Sequence, residues 1–331
     1  MNLKEPMSIK IIKPGMFATI QDLGRNGYRS VGIGPGGAMD FFAASIANFL
    51  VGNDAKCPVI EMHFPAAEIL FEEDALVSIT GGDFDGYADD EPVGSWKPFL
   101  IKKNKSLWFK KPVHGVRIYL SIHGGIASGN WLNSFSTHTK VKAGGHKGRP
   151  LLKGDIIPFD STGSLMPIES FPALAGMIGP VYQPANIFRC IAGPEWNLVN
   201  HESQAKFSLL PFSITNQSDR MGYRLKGRGL ALQEPVQLVS SPVDSGTIQL
   251  LPNGQLIVLM ADHQTTGGYP RIANVIGADL PKLAQSPIHS ELKFKLIGVE
   301  SAEEFLFLLY QTLESIKDIC KNYYDAYRHQ L

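Results

Sequence analysis

The stretch Met260 to Arg271 gathers more ligand-type side chains than any other in the chain: Asp262, His263, Gln264, Thr265, Thr266, Gly267, Gly268 and Tyr269. It follows the apolar run Gln255 to Met260, so a buried strand ends here and spills into polar residues and two glycines. A rigid strand of this kind delivers side chains to one place, and glycines let backbone N–H groups approach a ligand. Asp262 is of a type that serves as acid or base. Gln264, Thr265 and Thr266 are of types that hold an amide or a carboxylate. The same residues also read as a plain hairpin turn with satisfied hydroxyls.

Three further clusters carry charge or glycine. Ser218-Asp-Arg220-Met-Gly-Tyr-Arg224, followed by Lys226 and Arg228, offers Arg220 and Arg224 for bidentate binding of carboxylate or phosphate. Alternatively Asp219 pairs with an arginine and fixes a turn. Ser136-Thr-His138 and Gly144-Gly-His146-Lys-Gly148-Arg149 read either as a mobile basic loop that closes on an anion or as a solvated loop. Gly32-Ile-Gly34-Pro-Gly36-Gly37 fits G-x-G-x-x-G and opens a helix. The polar Tyr28 to Val31 is no buried strand, and the sequence beyond the helix is β-type, so a dinucleotide fold is not indicated. The spot is either an anion site at a helix start or a tight turn, with Asp40 in the first turn compensating the helix dipole or facing a cleft as a functional carboxylate.

Several chemistries are missing. There is no G-x-x-x-x-G-K-[ST] and no G-x-S-x-G. His201-Glu202 is followed by Ala205 where a zinc protease needs histidine, and no Met-Lys pair of the biotin-attachment type occurs. Cys57, Cys190 and Cys320 are too far apart for a thiolate metal site or a disulfide framework, so no metal is expected.

These residues need a scaffold, and the patterning describes one. Ala67 to Phe71, Leu76 to Thr80, Val116 to Ile122, Ile187 to Ile191 and Gln255 to Met260 read as strands, Val116 to Ile122 with one wet face. With 33 glycines and 22 prolines for turns and few helices between strands, a mainly β fold is expected. Ala38 to Val51 reads as a helix stopped by Gly52-Asn53. A capping-box pattern, Ser301-Ala-Glu-Glu304, opens a long amphipathic helix with Phe305, Leu308, Leu309, Leu313, Ile316, Ile319, Cys320, Tyr323 and Tyr327 on its stripe. That helix either packs across its own domains or docks a partner. The Pro-, Gly- and Ser-rich segment Ser161 to Pro184 marks a boundary, giving lobes 1–172 and 173–300 and a helix 301–331.

With 31 basic and 31 acidic residues the net charge is zero, which excludes a general nucleic-acid binder and a basic membrane-surface protein. No apolar run approaches the ~20 residues of a membrane span, and Met1 to Pro6 carries no signal core, so a cytoplasmic enzyme or enzyme subunit is expected.

In order along the chain, Pro14-Gly15, Thr19-Ile-Gln-Asp-Leu-Gly-Arg25, Gly37-Ala-Met-Asp40, Thr80-Gly-Gly-Asp83, Gly124-Gly-Ile126, Gly148-Arg149, Ser218-Asp-Arg-Met-Gly222, Gly246-Thr-Ile-Gln249 and Asp262 to Pro270 resemble the KipA/PxpC family. The family is also called allophanate hydrolase subunit 2, and it is similar to one half of the urea carboxylase carboxyltransferase domain. The match runs from about Ile9 to Val299. The resemblance implies two cyclophilin-like β-barrel lobes, a KipI/PxpB-type partner and a LamB/YcsF (PxpA)-type partner. Together such subunits form an ATP-dependent 5-oxoprolinase, which opens 5-oxo-L-proline to L-glutamate. It implies ATP, bound by this chain or by a partner, and no biotin attached here. The candidates are then Asp262, Gln264 and Asp40 for catalysis. Arg220, Arg224, Arg149, Thr265, Thr266, Gly267, Gly268, Tyr269 and Gln249 are the candidates for holding a small anionic amide. Two other roles fit the family: a biotin-dependent carboxyltransferase subunit, and a regulator that binds a KipI-type kinase inhibitor. Where the family commonly has Ser-Glu before G-x-I-Q, this chain has Ser240-Ser241, which weakens the carboxyltransferase role.

Overall fold

Along Ile187–Ala192, Gly222–Lys226 and Glu291–Leu296, buried Phe188, Cys190, Tyr223, Leu225, Leu292 and Phe294 alternate with half-buried or exposed neighbours, Gly222 apart. Such strands bury their apolar side without leaving an edge only if the sheet closes on itself. The computed structural model describes residues 7–160 and 171–328, with backbone only for 327 and 328, and its sheet does close. The barrel order is Ile187–Ala192, Arg271–Val275, Thr247–Leu250, Leu256–Leu259, Gly222–Lys226, Phe212–Ile214 and Glu291–Leu296. Every neighbouring pair is antiparallel except the seam, where Glu291–Leu296 runs parallel to Ile187–Ala192. Ile248, Leu256, Val258, Ile272 and Val275 fill the interior, and Phe207 of the helix His201–Leu209 stacks on Phe294 with ring centroids 5.0 Å apart.

This barrel is the heart of one compact unit, formed by residues Asn26–Met39 and Ile178–Gln311. The other unit is formed by Met1–Arg25, Asp40–Met177 and Thr312–Leu331. The passage at 177/178 lies within the Pro-, Gly- and Ser-rich segment, of which residues 161–170 fall outside the described part. The helix Val299–Arg328 contributes its first half to the barrel unit and its second half to the other.

The second unit has a six-stranded and a five-stranded sheet. The latter orders Ala18–Gln21, Val59–His63, His114–Ile122, Ala75–Asp83 and Pro98–Ile101. Here the alternation in Val116 to Ile122 misleads, because the expected wet face is buried: Tyr119 and Ser121 are fully covered. The helix Phe41–Leu50 belongs to the same unit, and Ser78 and Thr80 hydroxyls donate to the Ala47 and Ala43 carbonyls of that helix at 2.6 and 2.7 Å. Ser121 donates to Asn48 at 2.6 Å. Polar side chains therefore face a helix backbone rather than water, which explains why all but the first residue of this helix is buried.

The C-terminal helix starts at Val299, so the pattern Ser301 to Glu304 lies inside the helix and does not cap it. Its buried stripe is Leu309, Leu313, Ile316, Cys320 and Tyr324, while Phe305 and Leu308 from the expected stripe are exposed. The Tyr327 side chain lies outside the described residues. Cys57, Cys190 and Cys320 are unpaired, and burial pushes the Cys190 and Cys320 thiols up to about 12. Among the described residues no helix is long and apolar enough to cross a membrane.

Candidate functional site

The ladder between Gly222–Lys226 and Leu256–Leu259 sets the site, because it brings the residues just outside both strands together. The Met260 N–H donates to the Met221 carbonyl at 3.0 Å and the Asp262 N–H to the Arg220 carbonyl at 2.8 Å. Arg220 and Asp262 thereby become cross-strand partners. Arg220 donates from Nε to Asp262 Oδ2 at 2.8 Å and from Nη2 to Oδ1 at 3.0 Å. Arg220 is buried, and its Nη2 also reaches the Gly37 carbonyl at 2.5 Å. Asp219 fixes the turn, but through backbone: its Oδ1 accepts from the Met221 and Gly222 N–H groups at 2.8 and 3.3 Å.

Arg224, in the strand Gly222–Lys226, is exposed, and among the described residues its guanidinium has no ion-pair partner. It lines a cleft of about 580 Å³ in the barrel unit. Gln217, Asp219, Gln249, Asn253, Gln264 and Tyr269 supply the other polar walls, and Met221, Leu251, Pro252 and Ile257 supply apolar ones. One fixed cation, three glutamine amides and an asparagine amide can meet a carboxylate and an amide on one small molecule.

The segment 264–269 is held in place from behind. Thr266–Gly267 pairs antiparallel with Ser241–Pro242, and the Val243 N–H donates to the Thr265 carbonyl at 3.1 Å. Gln249 is buried and donates to the Tyr269 carbonyl at 3.4 Å. A Cβ at Gly267 would stand 2.5 Å from Gln249 Nε2, so a larger residue there would force the Gln249 amide to move. Arg271 binds Glu195 through Nε at 3.0 Å and Nη2 at 2.7 Å and donates from Nη1 to the Pro242 carbonyl at 3.0 Å. Burial pushes the Glu195 carboxyl up, and Arg271 outweighs this and holds it below its ordinary value.

Thus Arg224, Gln249, Gln264 and Tyr269 share the cleft wall, while Thr265, Thr266, Gly267 and Gly268 form the adjoining segment. Arg220 and Asp262 are engaged with each other. Asp40 and Arg149 belong to the other unit. Asp40 is the N-cap of Phe41–Leu50, not a residue of its first turn; its Oδ1 accepts the Ala43 N–H at 2.9 Å. Its own N–H donates to the Tyr119 hydroxyl at 2.8 Å, and that hydroxyl donates to Glu61 at 2.9 Å. Burial first, then the Glu61 charge, pushes the Tyr119 phenol well up. Arg149 is bidentate on Asp155 at 2.7 and 2.8 Å, which holds the Asp155 carboxyl far below the ordinary range.

The loop carrying Ser136 is anchored rather than mobile. Asp22 accepts from the Ser134 hydroxyl at 2.7 Å, from the Ser136 hydroxyl and from the Phe135 N–H at 2.6 Å, and Arg25 donates to the Ser136 carbonyl. Among the described residues no group of three or more His, Cys, Asp or Glu is placed to hold a metal ion.

Sequence reasoning did not single out Gln217 or Asn253 as cleft residues. The turn signal Pro252-Asn253-Gly254 was available for the second. It also missed Asp244 and Arg29, which meet at 2.8 Å although 215 residues apart, a distance no local signal spans.

Residues 31–296 match the family described as carboxyltransferase domain, subdomain A and B. The chain belongs to this family. Within the carboxyltransferase-domain family it is 39% identical over 295 residues to the C subunit of 5-oxoprolinase from Escherichia coli (strain K12), covering 89% of this chain and 93% of that protein. Identity to the 5-oxoprolinase C subunit of Haemophilus influenzae is 36% over the same shares. Urea amidolyase of Saccharomyces cerevisiae is 29% identical over 90% of this chain, which spans 17% of that longer protein. The fold is shared with the crystal structure of the K. lactis urea amidolyase, at a TM-score of 0.86 and 24% identity, over 95% of this chain and 20% of the other. The matched residues include the whole cleft and stop short of the helix Val299–Arg328.

Proposed function

We propose that the chain is the C subunit of a multi-subunit 5-oxoprolinase, a hydrolase that opens 5-oxo-L-proline to L-glutamate at the expense of ATP. The observation that carries this is the near-complete cover of two proteins that bear the name of the 5-oxoprolinase C subunit, at 39% and 36% identity. The cleft supports it chemically. The substrate has one carboxylate and one lactam; Arg224 matches the first, and the Gln249 and Gln264 amides match the donor and acceptor of the second. Asp262 is the acid/base candidate beside this wall, oriented by Arg220.

An unactivated lactam is a poor electrophile, and phosphorylation of its oxygen creates a leaving group, which accounts for ATP. One guanidinium in the cleft suits one carboxylate or one phosphoryl group. In this reading ATP is bound by this chain or by a KipI/PxpB-type partner, with a LamB/YcsF (PxpA)-type partner completing the enzyme. The chain is inactive alone in this reading, and the complex works in the cytoplasm.

The test is purification with both partner types and assay of glutamate release from 5-oxoproline and ATP. Release by the full set and not by this chain alone is expected; folded subunits that release none together overturn the reading. The family match and the urea amidolyase relatives favour a second reading, a carboxyltransferase subunit acting on a urea-like amide. Carboxylation of such an amide by the chain with a biotin carboxylase partner would establish it instead.

A further inference from the structure

The glycine-rich loop that resembles a nucleotide motif has a different task. Its residues 28–37 belong to the barrel unit and touch the back of the site at several points. Arg29 Nη1 donates to Asp244 Oδ2 at 2.8 Å, and its Nη2 donates to the Val243 carbonyl. Gly34 lies so close to the site segment that a Cβ there would be 2.7 Å from the His263 carbonyl oxygen. The Gly37 carbonyl takes the Arg220 guanidinium that also holds Asp262.

Asp244 and His263 link these contacts to the cleft. The His263 ring is buried; its Nδ1 lies 2.6 Å from the Gln264 carbonyl, so it donates there, and its Nε2 lies 3.6 Å from Asp244 Oδ1. Asp244 is further fixed by the Ser245 N–H at 2.8 Å and, through its own N–H, by Thr247 Oγ1 at 3.0 Å. Its neighbour Val243 binds the Thr265 carbonyl. The Thr265 end of the segment 263–265 is thus hydrogen-bonded to Val243, its His263 end faces Asp244 without a hydrogen bond, and Arg29 grips both Val243 and Asp244.

We propose that Arg29, Asp244 and His263 are positioning residues, and that the loop Tyr28–Gly37 is a latch that sets the height of Gln264 to Tyr269 in the cleft wall. None of the three lines the cleft; they act through Gln264 and Thr265. The link to catalysis rests on the cleft being the substrate site, whereas the latch itself is a statement about backbone order and is testable without any activity.

Hydrogen–deuterium exchange on the full chain reads the latch directly. In Arg29→Met, amides of 262–269 and 241–245 should exchange at least ~10-fold faster, with the strands Ile187–Ala192 and Glu291–Leu296 unchanged. Arg29→Lys, which keeps the charge on Asp244, should recover most of the protection. Gly34→Ala, which pushes the loop off His263, should reproduce Arg29→Met, and it stands in if that variant fails to fold. Unchanged exchange at 262–269 in both variants, or equal acceleration across the barrel, overturns the proposal. In the assembled enzyme, Arg29→Met should raise KM for 5-oxoproline more than it lowers kcat, with rescue by Arg29→Lys. A wild-type complex without activity would defeat the functional reading and leave the exchange result to judge the latch.

Discussion

Arg220 meets Asp262 with two hydrogen bonds of 2.8 and 3.0 Å and spends a third on the Gly37 carbonyl. A buried guanidinium so committed loses heavily when its carboxylate goes, because the charge stays behind without compensation. Asp262→Asn is expected to lose about 3 kcal/mol of stability and to abolish glutamate release by the complex. Urea unfolding and the release assay check the two parts. A double variant, Arg220→Met with Asp262→Leu, should unfold later than either single change, since it removes both charges together. Near-normal turnover in Asp262→Asn would take that residue out of the chemistry.

Arg224 stands apart from such commitments. Its side chain is exposed, so Arg224→Gln should change the melting temperature little. A charge-assisted bond contributes about 1.5–3 kcal/mol, which corresponds to a KM roughly 10- to 150-fold higher. A KM unchanged within twofold would show that the substrate carboxylate is met elsewhere.

Gly267→Ala tests how tightly the cleft wall is built. The new methyl would overlap Gln249 Nε2, at 2.5 Å, and force that buried amide to move. Overpacking of this kind costs about 1–3 kcal/mol. Shortening the partner with Gln249→Asn in the same chain should restore stability but not substrate affinity. If the single variant melts like the wild type, the wall is softer than its geometry implies.

Asp244 gives a sign for acid sensitivity. The His263 ring beside it, and then Arg29, hold its carboxyl down to about 2 from 3.8 against the opposing effect of burial. A carboxyl with a depressed folded-state value adds stability that is complete above its unfolded value and disappears as pH falls through the folded one. The loss should therefore run from just under pH 4 to pH 2, and Asp244→Asn should flatten that part of the curve. The carboxylate is more than half exposed, so salt should reduce the effect. Melting curves of both proteins across this pH range provide the comparison.

The strands were legible because their apolar residues recur at short spacing, and Leu256–Leu259 could be read as a largely buried strand from its lack of polar residues. The burial of Tyr119 and Ser121 was not legible, since alternation marks two faces but cannot say that a helix will cover the polar one. The same limit applied to charges. Arg224 and Arg149 look alike in the chain, yet Asp155 occupies the second and the first remains available. Asp219 looked like the natural partner for an arginine, but the turn required its oxygen for two N–H groups, and the ladder delivered Asp262 to Arg220 instead. The site segment was conspicuous because its residues are consecutive. Its support from Arg29 and Asp244 depends on closure across most of the chain.

The barrel seam joins Ile187–Ala192 to Glu291–Leu296, and residues Thr312 onward complete the other unit. Neither unit can therefore close as its first strands are made, because each takes in a segment that lies far downstream in the chain. Nascent protein should expose the unsealed strand edge of Ile187–Ala192 until Glu291–Leu296, about a hundred residues later, has been made, which makes this interval the time at which chaperones matter most.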